Sequence, residues 1–450
     1  MKLCAVNRST GKIILSQNGN LSEEHFRNTV KSLNPDVKPD DILLVVEGKL
    51  EGKISPNIIS SKSLKSVIWR GSFTDVGGYA SMNREICFRL IKHGFSVKAD
   101  ILKTAPQVDG MTQAYLQAMA SNRLINEDVC PMVIGFTPMP VQPKRRKHIF
   151  YTMMETQGLH KEFVDRCNEG AYEVWVPCKF YERVFKEAGV VKPIKVYPLG
   201  VDQSIYTPEA RPATVYYENI LTGDKTSLLP DNCTKFMSLF GWSYRKGPDV
   251  LCKSFIKEFS SKDDVVLVIF ARYLGSSHEQ HKQVIRNEIL QYYKEEGKIA
   301  PPPIYYCGDE IPISDLPGCY SQMDAFVFCS RGEGFGLPLI EAGACGLPVI
   351  STFDTAMTEY LDDDVGYLVH PAGHAPANDK LTFISEYYRD QLFSDFDESN
   401  IIQFGTFMRF VHENKELAKA KAEKFRKRIL EEYTWDVCVK RIAERLLELL

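Results

Sequence analysis

The sequence predicts two α/β domains of similar size, each a parallel sheet covered by helices, followed by a helical tail. Three observations predict it. At 450 residues the chain is longer than the roughly 250–300 residues at which a single core stops growing. Strand-length apolar runs alternate with helix-length amphipathic segments through most of it, the pattern of parallel strands joined by helical crossovers. That alternation occurs as two series, separated by the linker-like Pro208–Pro212.

The elements follow in order. Residues 1–64 hold strand-like Leu3–Val6, Ile13–Leu15 and Ile42–Val46 and a helix-like Glu23–Leu33. This extension either lengthens the first sheet or forms a small appended subdomain. The first domain, 65–205, opens with the strand Val67–Trp69. The helix Ser81–Lys92 follows, with Met82, Ile86, Leu90 and Ile91 on one face. Gly94 stops it, and Ser96–Leu102 is the next strand. Further alternation runs from Met132 through Val174–Val176 to Val196. The second domain, 206–432, has strands at Phe236–Phe240, Val265–Phe270, Ile304–Tyr306, Ala325–Cys329 and Pro348–Ser351. Helices include Asp249–Phe259 and His278–Glu296. The stretch 399–450 is helical, interrupted at Tyr433-Thr434-Trp435, so that 433–450 forms a separate tail helix.

Composition excludes several classes. The chain is 44% hydrophobic and 25% charged, ordinary for a globular protein. A net charge of −3 gives no bulk attraction to nucleic acid. The 12 cysteines form no Cys-x-x-Cys pair and read as small buried hydrophobes in a reducing compartment. The N-terminus has no apolar signal core, and the longest apolar runs fall short of the ~20 residues that span a bilayer. A cytoplasmic location is expected. The sequons at Asn7 and Asn232 carry little weight without a secretion signal.

The most informative stretch is Ser330-Arg-Gly-Glu-Gly-Phe-Gly-Leu-Pro-Leu-Ile-Glu341, continuing to Gly346-Leu-Pro348. It begins where a strand ends. Gly332, Gly334 and Gly336 make a loop whose backbone can approach a ligand. Pro338 suits the first helical position, and Gly346 and Pro348 end the helix. Glu333 then lies in the loop and Glu341 about one turn into the helix, leaning toward its start. The helix N-terminus suits a diphosphate, whereas two carboxylates there suit hydroxyls, such as the vicinal diol of a ribose. Taken singly, Glu333 reads more readily as a loop charge and Glu341 as a partner of the helix dipole.

This stretch resembles the E-x7-E signature of the large retaining family of GT-B glycosyltransferases (group 1, family 4-like), with Glu333 and Glu341 as the pair. Asp315–Tyr320, Met323–Ser330, Gly366–Val369, Phe240–Leu251, Val174–Pro177, Pro198–Asp202 and Thr434–Asp436 extend the likeness over about residues 65–450. The resemblance implies two Rossmann-like domains facing each other across a cleft, with the C-terminal helix crossing back to the first. It implies that Glu333 serves the transferred sugar and Glu341 the nucleotide ribose. Gly334, Phe335, Gly336 and Leu337 would line the donor.

Other candidates take their meaning from that context. Arg245 and Lys246, between a strand and a helix, could neutralise a leaving diphosphate, Arg bidentately and Lys as a point charge. Out of context they read as a solvated turn. Gly77 and Gly78 open a helix after a strand without forming a dinucleotide fingerprint. The resemblance counts both among the donor-binding residues, in a loop that lies across the cleft from the donor phosphates and helps position the acceptor. Glu155 and His160 fall where the family carries acceptor-side groups. Asp362-Asp363-Asp364 formally contains Asp-x-Asp but reads as a solvated turn, and no His/Cys cluster has metal-ligand spacing. The basic run Lys144–Lys147 suits either a solvated loop or peripheral contact with acidic lipid.

The resemblance implies a metal-independent, retaining transfer of a hexosyl unit from a nucleotide-diphosphate sugar to a hydroxyl of a glycan, lipid or other acceptor, with no other cofactor. The competing readings are a phosphorylase of the same architecture, a nucleotide-sugar epimerase, and an inactive nucleotide-sugar-binding protein.

Overall fold

The fold comes from a computed structural model. It describes residues 65–102, 108, 110–124, 127–141, 146–272, 278–377 and 388–450 (111 and 278–281 by backbone alone), and the backbone of three N-terminal strands. Packing divides the chain into two units. One comprises Met1–Thr152, Glu169–Trp175 and Val439–Leu450; the other comprises Met153–Asn168 and Val176–Cys438. By packing, 153–168 and 176–205 group with the second series of elements rather than with 65–152. The helix expected at Glu23–Leu33 lies outside the described residues.

In the first unit, Lys2–Asn7, Ile13–Asn18 and Ile42–Val46 pair antiparallel, with Lys2–Asn7 in the middle. They form a three-stranded sheet of their own. The main strands run parallel in the order Ser96–Ile101, Ser66–Gly71, Met132–Gly135, His148–Tyr151, Glu173–Val176. Their near-continuous apolar sequences fit strands buried on both faces. The helix Gly78–Lys92 is fastened to the sheet by Asn83. Its side chain accepts from Trp69 Nε1 (2.8 Å) and donates to the carbonyls of Ser72 and Gly135 (2.8 Å each). Val439–Leu450, the end of the tail helix Trp435–Leu449, belongs to this unit. Arg445 there donates to both carboxylate oxygens of the fully buried Glu173, at 3.2 and 2.6 Å.

The second unit is built on an eight-stranded sheet. Its order is Lys225–Thr226, Tyr217–Asn219, Ile304–Cys307, Val265–Arg272, Thr234–Gly241, Ala325–Phe328, Val349–Thr352, Tyr367–Val369. The last six are parallel. Phe236, Phe255, Phe259, Leu267, Ile269 and Phe404 are among the residues that fill the core between sheet and helices. Five of the six central strands and both helices expected here fall within two residues of their places. Pro208–Pro212 is not a loose linker. The main chain packs against the short helix Leu316–Tyr320, where a Cβ on Gly318 would lie 2.2 Å from the Arg211 carbonyl oxygen. Two strand pairs were not expected, Tyr217–Asn219 with Lys225–Thr226 and Gly373–Pro376 with Leu392–Asp395. Strands of two to four residues show too little alternation to be read.

Candidate active site

In the second unit the parallel strands Thr234–Gly241 and Ala325–Phe328 lie side by side, so their C-terminal ends deliver two loops to one place. The first loop is the single 3₁₀ turn Tyr244–Lys246, ended by Gly247 at φ +67°. The second is the glycine loop Ser330–Gly336, ended by Gly336 at φ +83° as the cap of the helix Leu337–Ala344. Both glycines occupy the left-handed region that a side chain disfavours. Pro338 is therefore the second helical residue, one later than expected, and Glu341 the fifth.

The loops are clamped together. Arg331 N–H donates to the Arg245 carbonyl and Arg245 Nη1 to the Gly332 carbonyl, both at 2.6 Å. A Cβ on Gly247 would sit 2.0 Å from the Cys329 carbonyl oxygen. Arg331, 3% exposed, grips Asp249 with both terminal nitrogens (2.8 and 2.7 Å) and lies 4.0 Å from the Tyr244 ring centre. Its fork geometry matches the carboxylate. Sequence reading passed over Arg331, which ties the glycine loop to the helix Pro248–Glu258.

Glu333 is 6% exposed. Its Oε1 accepts from Lys246 Nζ at 2.5 Å and from Ser330 Oγ at 2.6 Å, and Arg245 Nη1 lies 3.5 Å away. Its N–H donates to Thr355 Oγ1 (3.1 Å), and its carbonyl accepts from Tyr181 Oη (2.8 Å). Burial opposes its ionisation, but Lys246, Arg245 and Ser330 outweigh burial and hold its pKa below the usual carboxylate range. Burial and the neighbouring Arg245 depress the Lys246 pKa, against the pull of Glu333. The loop is buried, and the acid and the cations form one cluster.

Glu155 joins that cluster. Its carbonyl oxygen would meet a Cβ on Gly332 at 1.8 Å, so only glycine lets the two backbones approach. Its Oε2 accepts from Tyr388 Oη at 3.1 Å. Burial raises its pKa above the usual carboxylate value, opposed by Arg245 and Lys246 and aided by Glu333.

The other donor-loop residues have defined neighbours. Gly334 fits against Met153, where a Cβ would come within 2.8 Å. Phe335 is buried, and its carbonyl accepts from Tyr360 Oη (2.7 Å). Gly336 faces the same hydroxyl, and Leu337 begins the helix. Glu341 is half-buried, and its Oε2 accepts from Tyr320 Oη at 3.0 Å.

The remaining expectations fall elsewhere. His160 Nδ1 accepts the Glu162 N–H at 3.3 Å at the start of the helix Lys161–Gly170, a capping role. Gly77 and Gly78 open their helix in the first unit, where Asp75 Oδ1 accepts the Gly77 N–H at 2.7 Å. Of Lys144–Lys147, the first two lie outside the described residues. Lys147 donates to the Leu449 carbonyl (2.8 Å) and lies over the Tyr172 ring. Asp362 is bound to Arg428 (2.8 Å), and its own Oδ1 caps the Asp364 N–H. Among the described residues no three His, Cys, Asp or Glu side chains converge as a metal site, and no helix is long and apolar enough to cross a membrane.

Sequence reading missed Ser330, Tyr181, Tyr388 and the pair Asp354–Thr355. Asp354 accepts from Gln157 (2.8 Å), His374 (2.9 Å) and Ser394 (2.7 Å), and caps Thr355, which holds φ +49°. A threonine in the left-handed region is strained, and here its hydroxyl supports Glu333. No local signal marked it.

Known structures place the architecture. Anabaena HepE, solved with UDP and glucose, superposes with a TM-score of 0.55 at 13% identity, over 85% of this chain and 100% of that one. Sucrose-phosphate synthase of Thermosynechococcus elongatus gives 0.58 at 14%, over 86% and 99%. The fold is GT-B.

Residues 235–382, within the second unit, match the family model Glycosyl transferases group 1. O-antigen chain mannosyltransferase B of Escherichia coli is 43% identical over 53 residues, 12% of this chain and 14% of its own length. The D-inositol 3-phosphate glycosyltransferase of Arthrobacter sp. (strain FB24) is 28% identical over 188 residues, 41% and 39%. The chain thus matches well under half the length of these relatives.

Proposed function

We propose that the protein is a nucleotide-sugar-dependent glycosyltransferase that moves a hexosyl unit to a hydroxyl acceptor with retention of anomeric configuration and without a metal. The observation that carries this reading is the clamped pair of loops holding Arg245, Lys246 and Glu333 at the N-terminus of the helix Leu337–Ala344, inside the segment matching the group 1 model.

Each part has a chemical use. The helix N-terminus and the two cations suit a diphosphate, whose negative charge grows as the glycosidic bond breaks. Glu333, kept ionised, suits the developing positive charge at the anomeric carbon. Lys246 and Ser330 donate to its Oε1, an arrangement that suits orienting the sugar rather than attacking it. The acceptor would attack from the face the diphosphate leaves, giving its proton to the departing phosphate oxygen. Glu341 would serve the ribose diol, where Tyr320 already approaches it. A cytoplasmic enzyme is the expected setting, its acceptor a glycan, lipid or small molecule. Peripheral membrane contact would rest on the basic run Lys144–Lys147.

The test is incubation with a panel of nucleotide sugars. Nucleoside diphosphate mannose heads it, because three of the relatives are named mannosyltransferases, and UDP-glucose is next. Slow release of nucleoside diphosphate without inorganic phosphate is expected. Turnover that requires phosphate would make it a phosphorylase, and epimerised sugar without release would make it an epimerase.

A further inference from the structure

Among the described residues, four charged side chains meet here, Arg245 and Lys246 with Glu155 and Glu333, and their charges sum to zero. The cations are not shared evenly. Lys246 contacts Glu333 at 2.5 Å and Arg245 stands 3.5 Å from the same oxygen. Among the described residues no cation makes such a contact with Glu155. Its hydrogen bond comes from the neutral hydroxyl of Tyr388, and its main chain is pinned against Gly332, which keeps its carboxylate beside the cluster.

We propose that Glu155 is a proton-accepting residue of the diphosphate site, so that binding a nucleoside diphosphate at Arg245 and Lys246 takes up one proton at Glu155. The proposal rests on the reading of those two cations as diphosphate ligands. A nucleoside diphosphate brings at least two negative charges into a site that is already neutral and largely buried. Coulomb repulsion in that surrounding is strong, and the cheapest relief is to neutralise the carboxylate that holds its charge least firmly. Glu333 is ruled out by its direct contacts with Lys246 and Ser330. Glu155 is left. Arg245 and Lys246 face it from the turn, Glu333 from the glycine loop, Tyr388 from beside the hairpin, and Tyr181 from the helix Lys179–Glu187, where the Glu155 charge helps push the phenol's pKa up. Burial has already raised the Glu155 pKa in the ligand-free site. The proton comes from solvent and bonds to a carboxylate oxygen. No other bond changes, and the neutral acid gains an O–H to donate to a phosphate or sugar oxygen.

The sign is fixed by linkage. If binding takes up a proton, affinity rises as pH falls between the bound-state and free-state pKa values of Glu155. Calorimetric titration with UDP and with GDP, in two buffers of different ionisation enthalpy at each pH, reads the protons directly. Wild type should take up close to one proton more than Glu155→Gln, which imitates the neutral acid. At pH 8 that variant should bind about a hundredfold more tightly than wild type, a gap equivalent to two pKa units, and the gap should close as pH falls. Tyr388→Phe removes a donor to the carboxylate and should move the rise in affinity to higher pH. Equal proton uptake by wild type and Glu155→Gln, or weaker binding by that variant at every pH, overturns the proposal while leaving the diphosphate site standing. If folded wild type binds neither nucleotide, the diphosphate reading falls, and this inference with it.

Discussion

Lys246 Nζ lies 2.5 Å from Glu333 Oε1, and the two side chains are 14% and 7% exposed. A buried pair of this kind is a weak source of stability, because both charges have lost their water. It is better understood as a poised site. The ammonium that would receive a phosphate is occupied by the carboxylate that would face the sugar, so an incoming donor must share Lys246 with Glu333.

That sharing separates the effects of three substitutions. Lys246→Ala should weaken nucleoside diphosphate binding by ~1.5–3 kcal/mol, the scale of a hydrogen bond to a charged group. Glu333→Gln frees Lys246, so the same affinity should hold or improve, while turnover falls by on the order of 10²–10³. Glu341→Gln should weaken nucleoside diphosphate and intact donor alike. Calorimetry beside turnover makes the comparison. Lost nucleotide binding in Glu333→Gln with full binding in Glu341→Gln would reverse the roles.

Gly247→Ala should disable the site through the backbone. A left-handed φ of +67° costs a non-glycine residue about 1–2 kcal/mol, and the new Cβ would sit 2.0 Å from the Cys329 carbonyl oxygen. The two loops would have to part. Gly297→Ala is the control, since Gly297 has φ +59° with nothing within 4 Å. The glycine 247 variant should lose more melting temperature than the control and lose nucleoside diphosphate affinity, which the control keeps. Equal behaviour of the two would mean that the clamp does not matter.

These loops also mark how far the sequence could be read. The strand ends, the glycine run and the two glutamates are local features, and local spacing placed them within a residue or two. The contact of Lys246 with Glu333 spans 87 positions and depends on two strands being neighbours in the sheet, which no local pattern states. The same holds for Tyr388 and Glu155, 233 positions apart. Thr355 was hidden for another reason. Its φ of +49° opposes its own propensity, and only Asp354 and the loop around Glu333 account for it. His160 shows the converse, because a residue type suited to catalysis caps a helix instead.

The acid limb of the stability curve has a specific contributor away from the site. Arg409 donates to Glu258 (2.8 Å) and Asp263 (2.6 Å) and lies 4.4 Å from the Phe259 ring centre, joining the helix Glu398–Glu413 to the helix Pro248–Glu258. Burial opposes ionisation of Asp263, but Arg409 and Ser260 outweigh burial and bring its pKa from 3.8 down to about 2. A folded-state pKa below the unfolded one stabilises above the unfolded value and is lost as pH falls through the folded one. Asp263→Asn should therefore cost about 1 kcal/mol at pH 7, after allowance for solvent screening. That cost should shrink between about pH 4 and pH 2. Urea unfolding of both proteins at pH 7 and pH 3 measures it, and an unchanged difference would assign the stabilisation to something other than this charge.

Transfer should survive chelation. Diphosphate departure needs positive charge, and Arg245, Lys246 and the helix N-terminus supply it from the chain itself. The Asp-x-Asp at Asp362 and Asp364 is an unpromising ion site, because Arg428 is bound to Asp362 and Lys421 donates to the Asp363 carbonyl. The measurement is transferase rate after metal stripping, with excess EDTA and then with added Mn²⁺ or Mg²⁺. The rate should stay within about twofold throughout, while Lys246→Ala should lose activity that no metal restores. Complete loss in EDTA, recovered by Mn²⁺ and abolished by Asp362→Asn, would move the electrophilic role from the lysine–arginine turn to a bound ion.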